Sequence, residues 1–148
     1  MFKRIVVGVD GSQMSDNAMA IACDLAQKYD SALYLVHTPQ PHTVAFAMGA
    51  VAGYHAVTTM PDHKEVVEAA NKITQHAAAI AAQHGCDVTD IRTDQGEPAA
   101  QIIACAEDVG ADLIVTGRRG LGSIGALVQG STSQRVNHLA TCATLSVI

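Results

Sequence analysis

The alternation of short apolar runs with helical segments predicts a single-domain α/β protein built on an open, five-stranded parallel sheet. The runs within Lys3–Asp10 and Asp112–Thr116 lack regular polar alternation, as expected for strands buried on both faces. Helical patterns separate most of the runs, and this order favours parallel strands with helices on both sides. The chain has 148 residues, which is the size of one domain, so we expect one domain over residues 1–148.

Local signals place the individual elements. The other strands are predicted at Ala32–His37, Val88–Thr93 and Thr144–Ile148. Helix starts are indicated by Ser12 or Ser15, by a capping box at Asp62 and Glu65, by Pro98 and by Ser131; Gly85 and Gly110 end the second and third of these helices. With the strand order 3-2-1-4-5, the winding direction reverses between the first and fourth strands, where open sheets bind ligands.

Composition narrows the class of protein. The net charge is −5, so the chain lacks the basic surface expected for binding nucleic acid or an anionic membrane. No uninterrupted apolar stretch approaches the roughly 18 residues of a membrane span, and we expect a cytoplasmic protein. The four cysteines have neither zinc-finger spacing nor a disulfide framework. The apolar linker 39–61 has two interpretations: a short mobile helix that packs over the sheet or a neighbouring subunit, or a lid over a ligand.

The segment Gly117–Ser131 is the strongest candidate for a site. It contains a literal G-x-G-x-x-G at Gly120, Gly122 and Gly125, but no helix follows at once and no acidic residue follows Asp112, so a dinucleotide fingerprint is rejected. The P-loop pattern is absent as well.

A second glycine pattern fits better: Gly117-x2-Gly120, nine residues, then Gly130-Ser131. We expect Gly117 and Gly120 to adopt unusual φ values and to form an anion nest. Ser131 is expected to cap the last helix, whose N-terminal amides and dipole favour a phosphate. Gly130 would allow close approach of that phosphate, and Arg118 and Arg119 supply positive charge.

Asp10 ends the first strand beside this segment. Two roles remain open and are compatible: contact with a ribose hydroxyl or a phosphate-bound metal, or satisfaction of local turn amides.

These residues carry a family resemblance. The stretch around Asp10, the pair Val36-His37, the triplet Gly96–Pro98, the run Ala111–Gly117 and the glycine pattern resemble the ATP-binding branch of the universal stress protein family over nearly the full chain. The resemblance implies an adenine-nucleotide alpha-hydrolase-like fold. It also implies bound ATP, with Mg²⁺, and a homodimer through Thr144–Ile148.

The resemblance also implies which residues contact the nucleotide. Gly8, Val9 and Asp10 would lie against it, and the main chain of Thr38 would recognise adenine. The ribose and phosphates would be held by Thr116, Gly117, Arg118, Gly120, Gly130, Ser131 and Thr132. Thr116 departs from the family by replacing a larger apolar residue, and Ala143 replaces a frequent proline.

We expect a nucleotide-dependent stress-response switch rather than an enzyme. The alternative is a slow ATPase or phosphoryl-transfer enzyme using the same site, for which Asp10 and His37 are the only obvious candidates. A metal site built from His42, His55 and His63, near His37, is disfavoured because their spacing matches no compact ligand motif.

Overall fold

Five short runs of aliphatic and β-branched residues form the sheet. The computed structural model describes residues 1–49, 61–121 and 129–148. The strands are β1 (Arg4–Gly8), β2 (Ala32–His37), β3 (Val88–Thr93), β4 (Leu113–Gly117) and β5 (Ala143–Val147). The helices are α1 (Gln13–Tyr29), α2 (Pro41–Ala47), α3 (His63–Gln83), α4 (Pro98–Val109) and α5 (Ser131–Leu139).

The sheet is parallel throughout and has the order β3-β2-β1-β4-β5. The predicted fold class and strand order are therefore confirmed. The chain winds from β1 outward to β3 and then returns to the other side of β1 for β4 and β5, so the reversal falls between β1 and β4.

Side-chain alternation along the strands divides the core into two layers. Ile5 and Val7 face α1 and α3, in a cluster that also contains Leu35 and Ile73. Val6 faces the other way, toward α4 and α5, in the second cluster. Both faces of β1 and β4 are therefore covered, which explains why their sequences lack polar alternation.

Most predicted helix ends are present. The Ser12 side chain caps α1 by accepting a hydrogen bond from the Ser15 amide at 3.2 Å. Asp62 and Glu65 form the predicted capping box of α3. Gly110 ends α4 with a φ of 62°, in the left-handed region that glycine tolerates.

The linker begins with α2, which packs against α3. This agrees with the interpretation of a short packed helix for residues 41–47, whereas residues 50–60 of the linker lie outside the described part of the chain. Among the described residues, no helix is both long and apolar enough to cross a membrane.

The Asp112 side chain joins the N-terminal ends of β1 and β4. Its Oδ2 accepts hydrogen bonds from the Lys3 amide at 2.6 Å and from the Arg4 amide at 3.0 Å. These two main-chain donors hold the pKa of the Asp112 carboxyl below its usual 3.8.

The lowered pKa gives a prediction for Asp112→Asn. A group whose pKa is lowered by folding stabilises the native state above its unfolded pKa and loses that contribution as the pH falls through its folded pKa. We expect the wild type to be more stable than the variant at pH 7, and the difference to shrink as the pH falls below 3.8. Urea unfolding at pH 7, 5 and 3 measures this difference. A gap that does not depend on pH would contradict it.

Candidate functional site

A cavity of about 650 Å³ opens beyond the carboxyl ends of the strands, at the reversal between β1 and β4. Its volume lies within the range of small-molecule sites. Three residues in one register row, Val36, Gly8 and Thr116, contribute to the lining from adjacent strands.

Gly8 brings α4 close to the sheet beneath the cavity. A Cβ at this position would lie 2.5 Å from Cδ1 of Ile102, another lining residue. Only glycine therefore leaves both the α4 contact and the cavity space unchanged.

Most residues predicted for the site line this one cavity. They are Gly8, Val9, Asp10, Thr38, Thr116, Gly117, Gly120, Gly130, Ser131 and Thr132. Gly122 and Gly125, which belong to the rejected dinucleotide pattern, lie outside the described residues.

Arg118 is placed differently from the prediction, because it is not among the lining residues, whereas Arg119 is. The main chain of Arg118 joins two elements. Its amide donates to the Val147 carbonyl at 2.6 Å, and its carbonyl accepts from the Gly130 amide at 2.8 Å and from Ser133 Oγ at 2.8 Å. The sequence alone does not tell which of two adjacent arginines after a strand faces the cavity.

The unusual φ values expected for Gly117 and Gly120 are not observed. Gly117, Gly120 and Gly130 are all outside the positive-φ region. Glycine is needed at these positions because neighbouring parts of the chain lie too close for a Cβ. A Cβ on Gly117 would lie 2.9 Å from the carbonyl carbon of Met14 and 3.0 Å from the Ser15 amide nitrogen, so the start of α1 packs directly on β4.

Gly130 likewise serves packing inside the protein. Its Cβ would face the Arg118 carbonyl oxygen and the Arg119 Cα, both at 3.2 Å. This contact is a reason for glycine that the sequence did not indicate, and the expected close approach of a phosphate at Gly130 stays a prediction. The residue lets the start of α5 lie against the exit of β4.

The N-terminus of α5 faces the cavity without a side-chain cap. Ser131 was expected to cap the helix, but Gly130 is the N-cap residue and makes no side-chain cap bond. Ser133 Oγ donates to the carbonyls of Gly130 and Arg118. The amides of Ser131, Thr132 and Ser133, in the first turn, have no intrahelical acceptor and lie in residues that line the cavity.

Asp10 uses both carboxylate oxygens on main-chain donors. Oδ1 accepts from the Ser12 amide at 2.9 Å, which is the local turn interaction considered from the sequence. Oδ2 accepts from the Leu121 amide, also at 2.9 Å, across 111 residues of chain. This second bond had no signal in the sequence.

The end of the cavity near β2 and α4, away from α5, contains residues that the sequence did not assign to the site. Gln40 Nε2 donates to the carbonyls of Pro39 and Gly96, each at 2.8 Å, and so joins the exit of β2 to the turn before α4. Glu97 caps α4 by accepting from the amides of Ala99 and Ala100. The Gly96–Pro98 triplet was a family signature in the sequence and could have indicated Glu97.

His37 is a structural residue at the end of β2. Its side chain is 1% exposed, and Nδ1 lies 2.9 Å from the Val9 carbonyl oxygen. Burial lowers the pKa of His37, which favours the neutral ring. His37 is absent from the cavity lining, although its neighbours Val36 and Thr38 are present, so it is not positioned as a base there.

The histidines considered as metal ligands do not form a cluster in the described part of the chain. No group of three or more His, Cys, Asp or Glu side chains comes together there as a metal site. His42 lines the cavity, His63 begins α3, and His55 lies outside the described residues.

The open parallel sheet defines the class of this chain as doubly wound α/β, and its cavity lies at the reversal, where open sheets of this class bind ligands. The model of the universal stress protein family matches residues 1–147. The chain belongs to the universal stress protein family.

Individual relatives agree with this assignment. A Thermus aquaticus protein, described as the universal stress protein in the QAH/OAS sulfhydrylase 3′ region, is 37% identical over 99% of both chains. The Archaeoglobus fulgidus universal stress protein in complex with dAMP has a TM-score of 0.70 and 21% identity, covering 99% of this chain and 98% of its own. A universal stress protein in complex with cAMP has a TM-score of 0.72 and 24% identity, covering 99% and 97%. At these identities the two structures show the shared fold.

Proposed function

We propose that this protein binds ATP, together with Mg²⁺, in the 650 Å³ cavity and acts as a nucleotide-dependent stress-response switch. The observation that carries the proposal is the uncapped N-terminus of α5 beside Arg119 and the turn at Gly120. Helix N-terminal amides, the helix dipole and a nearby guanidinium together favour a phosphate group. The proposed phosphate end therefore consists of Gly117, Arg119, Gly120 and the start of α5.

The adenosine would occupy the other end, near Thr38, Gln40 and Glu97. Thr38 and Gln40, just after β2, line the cavity there, and the main chain of Thr38 is the group proposed to recognise the base edge. The two related structures described as complexes with dAMP and cAMP support an adenine nucleotide as the ligand class.

Mg²⁺ would come with the phosphates. The carboxylates lining the cavity are Asp10 and Glu97, and each accepts two main-chain hydrogen bonds. A hard cation that keeps several waters and uses phosphate oxygens fits this donor set better than one held by a protein cage. The residues present are therefore compatible with MgATP, and the protein's own contribution is to orient the phosphates through amides and Arg119.

The site favours binding over turnover. A phosphoryl-transfer enzyme needs a residue that positions the nucleophile. His37 is buried away from the cavity lining, and both Asp10 oxygens accept main-chain hydrogen bonds. The second candidate, a slow ATPase, would use the same residues. Phosphate release followed over hours at known protein concentration separates the two, because release of many phosphates per protein molecule would show turnover, whereas a pure binding protein releases none.

The switch is proposed to be a cytoplasmic homodimer. Among the described strands, β5 lies at the edge of the sheet with β4 as its one neighbour, so it can pair with a second copy through the region Thr144–Ile148.

The binding proposal predicts a thermal shift. A ligand that binds only the folded state at 100 times its Kd stabilises that state by about 2.7 kcal/mol, which raises the Tm of a domain of this size by roughly 5 to 10 °C. We expect this rise with millimolar MgATP. Differential scanning calorimetry with MgATP, AMP and MgGTP measures it and ranks the nucleotides. A Tm that none of the three nucleotides changes would contradict the proposal.

A further inference from the structure

We propose that Asp10 is a positioning residue, which acts by fastening the turn after β1 to the turn after β4 and so holds the proposed phosphate end in shape. This inference rests on the proposed nucleotide function and assigns Asp10 a role other than contact with ribose or metal. It depends on three features of the described residues: a local hydrogen bond, a second hydrogen bond across the site with a close approach beside it, and the sign of the charge.

The first feature is local. Asp10 Oδ1 accepts from the Ser12 amide at 2.9 Å, with Gly11 between them at a φ of 86°. Ser12 in turn caps α1. The carboxylate is therefore fixed relative to the first turn of α1, and it has little freedom to swing toward a ligand.

The second feature spans the site. Asp10 Oδ2 accepts from the Leu121 amide at 2.9 Å. Gly120, the residue before Leu121, lies close to the same oxygen. A Cβ on Gly120 would collide with Asp10 Oδ2. The main chain at residues 120–121 therefore lies directly on the carboxylate, and glycine at 120 is required by this contact.

The third feature is charge. A carboxylate close to a triphosphate repels it, so direct contact would weaken binding. Two charge-assisted main-chain bonds offset the negative charge and use it to hold the backbone. The role of the Asp10 carboxylate at the proposed phosphate end is therefore to hold the main chain at Gly120, which lines the cavity.

The test compares Asp10→Asn with Asp112→Asn. The asparagine keeps the shape but replaces one acceptor oxygen by an NH₂ group that cannot accept from an amide. Asp112 is a matched control, because its carboxylate also accepts two main-chain amides, from Lys3 and Arg4 at the other end of the sheet. Calorimetric titrations with MgATP, ATP without metal, and adenosine are run on the wild type and both variants.

We expect Asp10→Asn to weaken ATP binding roughly tenfold, with or without Mg²⁺, and adenosine binding less than twofold. Asp112→Asn should change neither. In the ligand-free protein, the NMR signal of the Leu121 amide should shift and its hydrogen exchange should accelerate in Asp10→Asn only. If Asp10→Asn does not fold, Gly120→Ala, which displaces the same oxygen, should give the same pattern.

Three results would overturn the inference. Equal losses for adenosine and ATP would place Asp10 on the ribose. A loss seen only with Mg²⁺ would make it a metal ligand. An unchanged Leu121 amide would show that the tie does not exist. The amide measurement needs no ligand, so it tests the tie even if the wild type binds no nucleotide, which would instead refute the proposed function.

Discussion

Replacing Gly130 with valine is expected to weaken ATP binding about a hundredfold, equivalent to about 2.7 kcal/mol, while the domain remains folded. The cause is displacement of the start of α5 rather than direct obstruction of a phosphate. The new Cβ would stand 3.2 Å from both the Arg118 carbonyl oxygen and the Arg119 Cα, and two further methyl groups would follow it. The first turn would move away from β4, and its amides would leave the proposed phosphate position.

A graded series tests this cause. Gly130→Ala adds only the Cβ, and the backbone can yield by a few tenths of an ångström, so we expect an intermediate loss. Isothermal titration with MgATP gives the affinities, and urea unfolding reports whether each variant is folded. If alanine and valine both bind ATP like the wild type, the start of α5 does not hold the phosphates.

Gly117→Ala is expected to lower the free energy of unfolding by about 2 kcal/mol and also to weaken nucleotide binding. The added Cβ would lie 2.9 Å from the Met14 carbonyl carbon and 3.0 Å from the Ser15 amide nitrogen. These are main-chain atoms of α1 and cannot turn aside as a flexible side chain can. The start of α1 and the exit of β4 must separate, which changes the cavity wall.

Gly110→Ala is the control for a glycine whose importance is conformational. Its φ is 62° and its Cβ would make only an ordinary contact at 3.5 Å, with Arg4 Nη1. We expect it to cost about 1 kcal/mol of stability and to leave ATP affinity unchanged. Urea unfolding and titration on both variants make the comparison. Wild-type stability in Gly117→Ala would contradict the direct packing of α1 on β4.

The fold was predictable because each element carries a local signal that agrees with the global arrangement. The continuous apolar β1 and β4 indicated central strands, and Ser12, Asp62 and Pro98 marked helix starts. The strand order followed from the alternation and from the family resemblance. The short helix α2 was one of two interpretations of an apolar linker, because an apolar segment of that length packs equally well in several ways.

The detailed roles in the site were less predictable, because they depend on contacts between distant residues. Glycine spacing located the cavity, but it suggested unusual φ values at Gly117 and Gly120, where the structure instead brings other chain atoms too close for a Cβ. The bond from Asp10 to Leu121 and the choice between Arg118 and Arg119 have no local sequence signature. The Gln40 side chain donates a hydrogen bond to the Gly96 carbonyl, 56 residues away, and this contact is visible only in the folded chain.

The main chain of Arg118 connects the edge of the sheet with the cavity. Its amide is bonded to the Val147 carbonyl in β5, and its carbonyl is bonded to the Gly130 amide and Ser133 Oγ at the start of α5. Arg118 is therefore one link between the outermost strand and the mouth of the cavity, beside the hydrogen bond that Asn137 in α5 donates to Ser146 in β5. If these bonds make the two elements move together, a partner that favours one position of β5 and a ligand that favours one position of α5 change each other's affinity by the same factor.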